Sequence, residues 1–177
     1  MTELDERGAV HGVFWTAIQS IGVRVFSLLV FVVLARLLTP SDFGLLAMAG
    51  VFVVFGDALV AQGFGTAITQ RERLEPEHES TAFWTNMLLG LALGALLWAA
   101  APLISDLYGQ KALAPVIRWL SPVLPLRGAV AVPVGLLQRK FRFRTLAIRS
   151  VLAALGGGIA GVLAAYSGWG VYALVVQ

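Results

Sequence analysis

The stretch that decides the fold is residues 43–68, FGLLAMAGVFVVFGDALVAQGFGTAI, in which Asp57 is the single charged residue. A helix needs about 20 apolar residues to cross the hydrocarbon core of a bilayer, and this run is long enough. On either side of it the chain has further apolar runs of similar length, separated by short polar connectors. We predict membrane spans at residues 13–34, 43–68, 82–104, 116–137 and 148–166, and a partial sixth span at residues 169–177.

Composition favours a bundle of membrane helices over a water-soluble domain. Hydrophobic residues make up 58% of the 177 residues and charged residues 13%, whereas ordinary soluble domains carry roughly 25% charged residues. The alternation of apolar and polar residues that is typical of membrane barrels is absent, and an open sheet edge cannot satisfy its backbone groups in lipid. The sequence therefore predicts an all-α fold, a polytopic transmembrane helix bundle.

Residues that could support enzyme chemistry are few. The chain has no cysteine, which excludes disulfides and thiolate metal sites. His11 and His78 lie outside the predicted spans and far apart in sequence. We therefore expect no enzymatic activity, no metal and no cofactor.

The distribution of Lys and Arg predicts the orientation in the membrane. If the N-terminus is cytoplasmic, eight of the 13 basic residues lie on the inside, three lie outside and two lie within spans. Basic residues are enriched in cytoplasmic loops, so this bias places the N-terminus in the cytoplasm. Four of the eight fall within residues 138–144, a segment that either anchors the topology or binds anionic head groups.

Arg24 lies about midway along the first predicted span, where a charge costs at least about 2.5 kcal/mol on insertion scales. At roughly 100° per residue, its polar neighbours share an arc of about 80° on the same helix face. These neighbours are Thr16, Ser20 and Ser27, with Gln19 at the edge of the arc. The stripe predicts a lumen-lining face on which Arg24 either binds an anion or is neutralised by a buried partner.

Asp57 and Arg127 are the other charges deep in the predicted spans. Helical rise and bilayer thickness place Asp57 within about 7 Å of the depth of Arg24. Because the first two predicted helices run antiparallel across a short connector, we expect these two residues to pair. Asp57 is then a salt-bridge partner, a proton or cation site, or both. Arg127 lies among Pro122, Pro125 and Pro133, and interrupted helices often line the substrate path of transporters. The alternative is a shifted span that leaves Arg127 near the outer interface.

Two helices carry small residues four positions apart, a pattern that lets helix backbones approach closely in membranes. The shorter pair is Gly90 and Gly94, and the longer stripe is Ala153, Gly157, Gly161 and Ala165. We expect close helix packing along these stripes, above all along the longer one.

Several segments, taken in order, resemble bacterial polysaccharide-repeat flippases of the O-antigen and exopolysaccharide type. These belong to the multidrug/oligosaccharidyl-lipid/polysaccharide exporter superfamily. The resemblance begins with LARLLTPSDFG at residues 34–44 and runs over nearly the whole chain. The further matching segments are residues 55–57, 63–68, 80–86, 101–104, 108–109, 136–139, 141–143 and 168–174.

The resemblance implies twelve to fourteen helices in two lobes around a central, often cationic cavity, with residues 1–177 supplying most of the N-terminal lobe. It implies that the protein moves an oligosaccharide repeat on a polyprenyl pyrophosphate from the inner to the outer leaflet of the bacterial inner membrane. Alternating access is commonly driven in this superfamily by a proton or sodium gradient. Asp57 matches a recurrent acidic position, whereas Arg127 stands where a smaller polar residue is expected.

A diphosphate headgroup carries about two negative charges, and burying it requires compensating cations. We therefore expect Arg24 and Arg127 to bind the diphosphate. Lipid-linked oligosaccharide, membrane lipids and the polymerase or export machinery of the pathway are the expected partners, and nucleic acid is not. The alternatives are a drug/cation antiporter of the same superfamily and a non-transporting membrane remnant or scaffold. The latter stays open because the chain ends inside an apolar run, as a fragment or a truncated gene product would.

Overall fold

A computed structural model describes residues 21–60, 76–139 and 143–177, and for residues 76–79, 139 and 143 it describes the backbone alone. Every regular element in these ranges is a helix. The helices are α1 (21–37), α2 (Pro40–Val60), α3 (Pro76–Leu107), α4 (Leu113–Leu120), α5 (Val123–Arg139), α6 (Phe143–Tyr166) and α7 (Val171–Val176). The predicted all-α class is therefore confirmed.

By length and composition, four segments of the described residues are able to cross a membrane. They are Pro40–Val60, Ser80–Leu107, Leu113–Gln138 and Arg144–Tyr166. Large apolar side chains stand on their outer surfaces, among them Val54 at 70% and Leu103 at 73% exposure. Such a surface is typical of helices solvated by lipid rather than by water. Part of the predicted first span, residues 13–20, and the end of the second, residues 61–68, lie outside the described residues.

The predicted span at residues 116–137 is not one helix. α4 ends at Leu120 and α5 begins at Val123, so a turn at Ser121 and Pro122 divides it. Three other helices extend beyond the predicted spans. α1 continues to residue 37, α3 extends from Pro76 to Leu107, and α6 begins at Phe143. A helix can project beyond the hydrocarbon core, so these longer helices are compatible with the predicted spans.

The connections follow ordinary helix-capping chemistry. Pro40 occupies the first position of α2, where its missing N–H and fixed φ cost nothing. Gly109, two residues after the end of α3, has a φ of 63°, and the Gln110 N–H donates to the Ser105 carbonyl at 3.0 Å. Gly168 (φ 78°) follows the end of α6 in the same way, and the Trp169 N–H donates to the Ala164 carbonyl at 3.1 Å. Both are glycine-terminated caps that satisfy the last carbonyls of a long helix.

The chain forms two compact units. One comprises residues 40–136 and the other residues 1–39 and 137–177. In the first unit α4 packs against α2 and α3, with Leu113 and Ile117 fully buried. In the second unit α7 packs against α6. The Cβ of a residue replacing Gly161 would lie 3.1 Å from the Ala173 carbonyl oxygen, so the close packing predicted for the longer stripe is confirmed at this position.

Candidate functional site

The candidate site lies on the unit formed by residues 40–136, where α5 passes α2. Gly56 of α2 is buried, and a Cβ there would lie 2.9 Å from the Leu124 Cδ1 and Cδ2 atoms. Arg127 follows Leu124 by three residues, which is about one helical turn. The contact of Gly56 with Leu124 therefore brings Asp57, the next residue of α2, beside Arg127.

The position of α5 is fixed from its other side by α3. A Cβ at Gly90 would lie 2.6 Å from the Leu124 carbonyl oxygen, and one at Gly94 would lie 3.0 Å from the Ser121 carbonyl oxygen. A Cβ at Gly128 would overlap the Asn86 carbonyl oxygen. Because residue numbers rise along one helix as they fall along the other, the two helices run antiparallel. The predicted close packing at Gly90 and Gly94 is confirmed, and it leaves Arg127 on a backbone that has little room to shift.

Proline interrupts the helical hydrogen bonds just before this contact. The N–H that Pro122 lacks would have donated to the Arg118 carbonyl, four residues earlier. Instead, the Ser121 hydroxyl donates to that carbonyl at 2.7 Å. Pro125 likewise has no N–H for the Ser121 carbonyl, which accepts from the Leu124 N–H at 3.2 Å. Both carbonyls that lose a backbone donor to a proline therefore accept another hydrogen bond.

Arg127 and Asp57 form an ion pair, with 3.7 Å between Arg127 Nε and Asp57 Oδ1. The distance is longer than the 2.7–3.2 Å of a good N–H···O hydrogen bond. The two side chains are 62% and 41% exposed, respectively. The pair is therefore loose and accessible, and the guanidinium can still reach a second anion.

Arg24, the partner expected for Asp57, belongs to the other compact unit. Its own helix, α1, contacts α6 through Phe26 and Val30, which would lie 2.7 Å and 2.8 Å from a Cβ at Gly158. Arg24 and Ser27 are exposed on α1. Arg24 lies on the side of α1 away from Gly158, because its angular offset from Phe26 and Val30 exceeds 90° at roughly 100° per residue. Thr16, Gln19 and Ser20, the rest of the predicted polar stripe, lie outside the described residues.

The pairing of Asp57 with Arg127 is the feature that the sequence analysis missed. One signal could have indicated it: a glycine adjoins each of these charged residues, Gly56 before Asp57 and Gly128 after Arg127. Small residues mark the places where membrane helices approach most closely. Charges next to such residues on two different spans are therefore candidates for an ion pair.

A third cation stands at the end of α4. The Arg118 guanidinium carbon lies 4.9 Å from the centre of the Trp98 ring, which is cation–π geometry. Trp98 and the neighbouring Trp119 are both exposed. Exposed tryptophans beside a basic residue are typical of the zone where a membrane helix meets the lipid headgroups.

A family model described as "Polysaccharide biosynthesis protein" matches residues 33–177, which include both residues of the Asp57–Arg127 pair. The chain belongs to this family. It is 27% identical over 174 residues to the succinoglycan biosynthesis transport protein ExoT of Rhizobium meliloti, an alignment that covers 98% of this chain and 35% of that protein.

Two further relatives come from Escherichia coli and Bacillus subtilis. The lipopolysaccharide biosynthesis protein WzxC of E. coli is 28% identical over 162 residues, 89% of this chain and 32% of WzxC. The teichuronic acid biosynthesis protein TuaB of B. subtilis is 28% identical over 142 residues, 77% of this chain and 28% of TuaB. The chain thus spans about a third of the length of the curated relatives that it matches. No solved structure matches it significantly.

Proposed function

We propose that the protein moves polyprenyl-pyrophosphate-linked oligosaccharide repeat units across the bacterial inner membrane by alternating access, for the synthesis of a polysaccharide or lipopolysaccharide. Membership of the polysaccharide biosynthesis family supports the pathway. The name of ExoT, which describes a transport protein, supports a transporter rather than an enzyme. The chain would contribute the N-terminal part of such a transporter.

One observation carries the proposal: Arg127 stands near the midpoint of the interrupted membrane-length segment Leu113–Gln138, and its side chain is 62% exposed. An arginine facing lipid at that depth would be costly, so arginines within spans usually face a cavity or the interior of a bundle. A lipid-linked oligosaccharide has its anionic charge at the diphosphate. A guanidinium suits this group because it grips two phosphate oxygens at once, which an ammonium cannot do.

Arg24 is the second proposed ligand of the diphosphate. It is exposed on α1, as a residue that faces a substrate path must be. Thr16, Gln19, Ser20 and Ser27 would line the path for the sugar, because hydroxyl and amide groups can exchange hydrogen bonds with sugar hydroxyls. Asp57 remains the candidate for the coupling proton or sodium ion.

The proposed orientation has the N-terminus in the cytoplasm. It follows from the excess of Lys and Arg on one side of the predicted spans. In this orientation the connector between α3 and α4 lies outside the cytoplasm, and so does the turn at Gly168 between α6 and α7. The helix break at Ser121 and Pro122 then lies towards the outer leaflet.

The test is polymer export in cells that depend on this gene. Arg127→Ala and Arg24→Ala should each reduce export of the polymer, with lipid-linked repeat units accumulating on the cytoplasmic side. Arg36→Ala is the matched control, because Arg36 is exposed near the end of α1 and outside the proposed path. If both variants are present at normal levels in the membrane and export is unchanged, the proposed diphosphate site is wrong.

A further inference from the structure

Asp57 lies beside the guanidinium that is proposed to bind the diphosphate. A carboxylate beside the binding guanidinium cancels much of the charge that attracts the diphosphate. A site meant only for tight anion binding would have no such neighbour. The structure nevertheless places Asp57 Oδ1 3.7 Å from Arg127 Nε, on helices that glycines hold in close contact.

The geometry leaves part of the guanidinium free to act. An arginine side chain has five N–H donors, one on Nε and four on the two terminal nitrogens. The ion-pair contact to Asp57 is made through Nε. With 62% of the Arg127 side chain exposed, an incoming phosphate has access to the rest of the guanidinium.

We infer that Asp57 is a competing counter-ion for Arg127: it holds and orients the guanidinium in the empty transporter and weakens its grip on the diphosphate so that the headgroup can be released. This inference rests on the proposed function. A transport site must bind its cargo well enough to load it and weakly enough to let it go, as channel sites do for ions. Asp57 is thus a positioning residue, whereas Arg127 contacts the substrate.

The sign and size of the effect follow from Coulomb's law. A phosphate on the terminal nitrogens of Arg127 would lie roughly one guanidinium width beyond the Asp57 carboxylate, and the two anions would repel each other. At the effective dielectric constants of a surface or a wet cavity, removing that repulsion should tighten binding about 3- to 30-fold. A residue that served only to support the fold would give the opposite sign, because losing it would loosen the site.

The experiment measures binding of geranylgeranyl diphosphate to the purified protein in lipid nanodiscs, followed by intrinsic tryptophan fluorescence, together with polymer export in cells. Asp57→Asn should bind the probe about 3- to 30-fold more tightly and export polymer more slowly. Arg127→Ala should bind it at least tenfold more weakly. Asp106→Asn is the matched control, an exposed carboxylate at the end of α3 that should leave both measurements unchanged.

The outcomes distinguish the counter-ion role of Asp57 from the diphosphate site at Arg127. If Arg127→Ala weakens binding while Asp57→Asn leaves it unchanged or weakens it, the counter-ion role is wrong and the diphosphate site stands. If Arg127→Ala leaves binding unchanged, the diphosphate site itself is wrong, and the counter-ion role fails with it. Asp57→Ser provides a second removal of the charge should the asparagine variant not fold, and the same tightening is expected from it.

Discussion

Arg24 and Arg127 both lie within predicted spans, yet their surroundings differ. Arg127 stands just after a helix break, beside a carboxylate, on a backbone that Gly90 and Gly94 hold against α3. Arg24 is exposed on an uninterrupted helix, and a Cβ at its neighbour Gly22 would meet nothing within 4 Å. Two arginines at similar predicted depth therefore differ in their surroundings, since one lies in a site built by helix packing and the other on an open helix face.

The largest expected effect on stability comes from disturbing the packing of α3 against α5, which positions Arg127. Gly90→Val would drive a side chain into the Leu124 carbonyl, 2.6 Å from the Cβ position, and backbone cannot move aside cheaply. Overpacking of this kind costs about 1–3 kcal/mol or more, so we expect a marked loss of folded protein and of thermal stability in detergent. Gly22→Ala, in the open helix that carries Arg24, should leave stability unchanged or slightly raised. Equal stability of the two variants would contradict the close packing.

The next prediction distinguishes the ion pair of Arg127 with Asp57 from the binding of the diphosphate by Arg127. The double variant Asp57→Arg/Arg127→Asp restores the ion pair with its members exchanged, so its thermal stability should recover relative to the two single variants. Export should stay low, because the guanidinium then projects from α2 instead of α5. Recovery of both stability and export would show that the pair has a structural role alone.

A smaller effect is expected on diphosphate affinity when each of the two arginines is replaced by lysine. Arg127→Lys and Arg24→Lys keep the charge but lose the two-pronged contact to phosphate. One lost charge-assisted hydrogen bond, at about 1.5 kcal/mol, corresponds to about a tenfold weaker affinity for geranylgeranyl diphosphate. If lysine serves as well as arginine at residue 24 but not at residue 127, only the packed site forms a directional contact with the headgroup.

The smallest effect concerns a cation held by an aromatic ring in place of a carboxylate. Trp98→Leu removes the ring 4.9 Å from the Arg118 guanidinium carbon. An exposed cation–π contact contributes about 0.5–1 kcal/mol, so thermal stability should fall slightly and export should be unaffected. The same variant in an Arg118→Gln background should cost less. An equal cost in both backgrounds would show that the ring packs without helping the cation.

The helical class and the four membrane-length segments of the described residues were predictable because the length of an apolar run is a local property of the chain. Three prolines predicted an interrupted helix but not the position of the break, which lies at Ser121 and Pro122. The sequence predicted Arg24 as the partner of Asp57, whereas the structure pairs Asp57 with Arg127. Helical rise gives the depth of Asp57 in the membrane but not the residue that it meets. That residue depends on which helix packs against Gly56, and the contact of Gly56 with Leu124 joins residues far apart in sequence.

The hydroxyl bond at Ser121 has a consequence for where such a turn can exist. A helix interrupted by proline ordinarily needs water or a neighbouring chain to occupy the abandoned carbonyl. Here the residue just before the proline supplies the donor from its own side chain, at 2.7 Å. The Arg118 carbonyl therefore keeps a donor without water or a neighbouring chain. Ser121→Ala would make the same turn dependent on hydration.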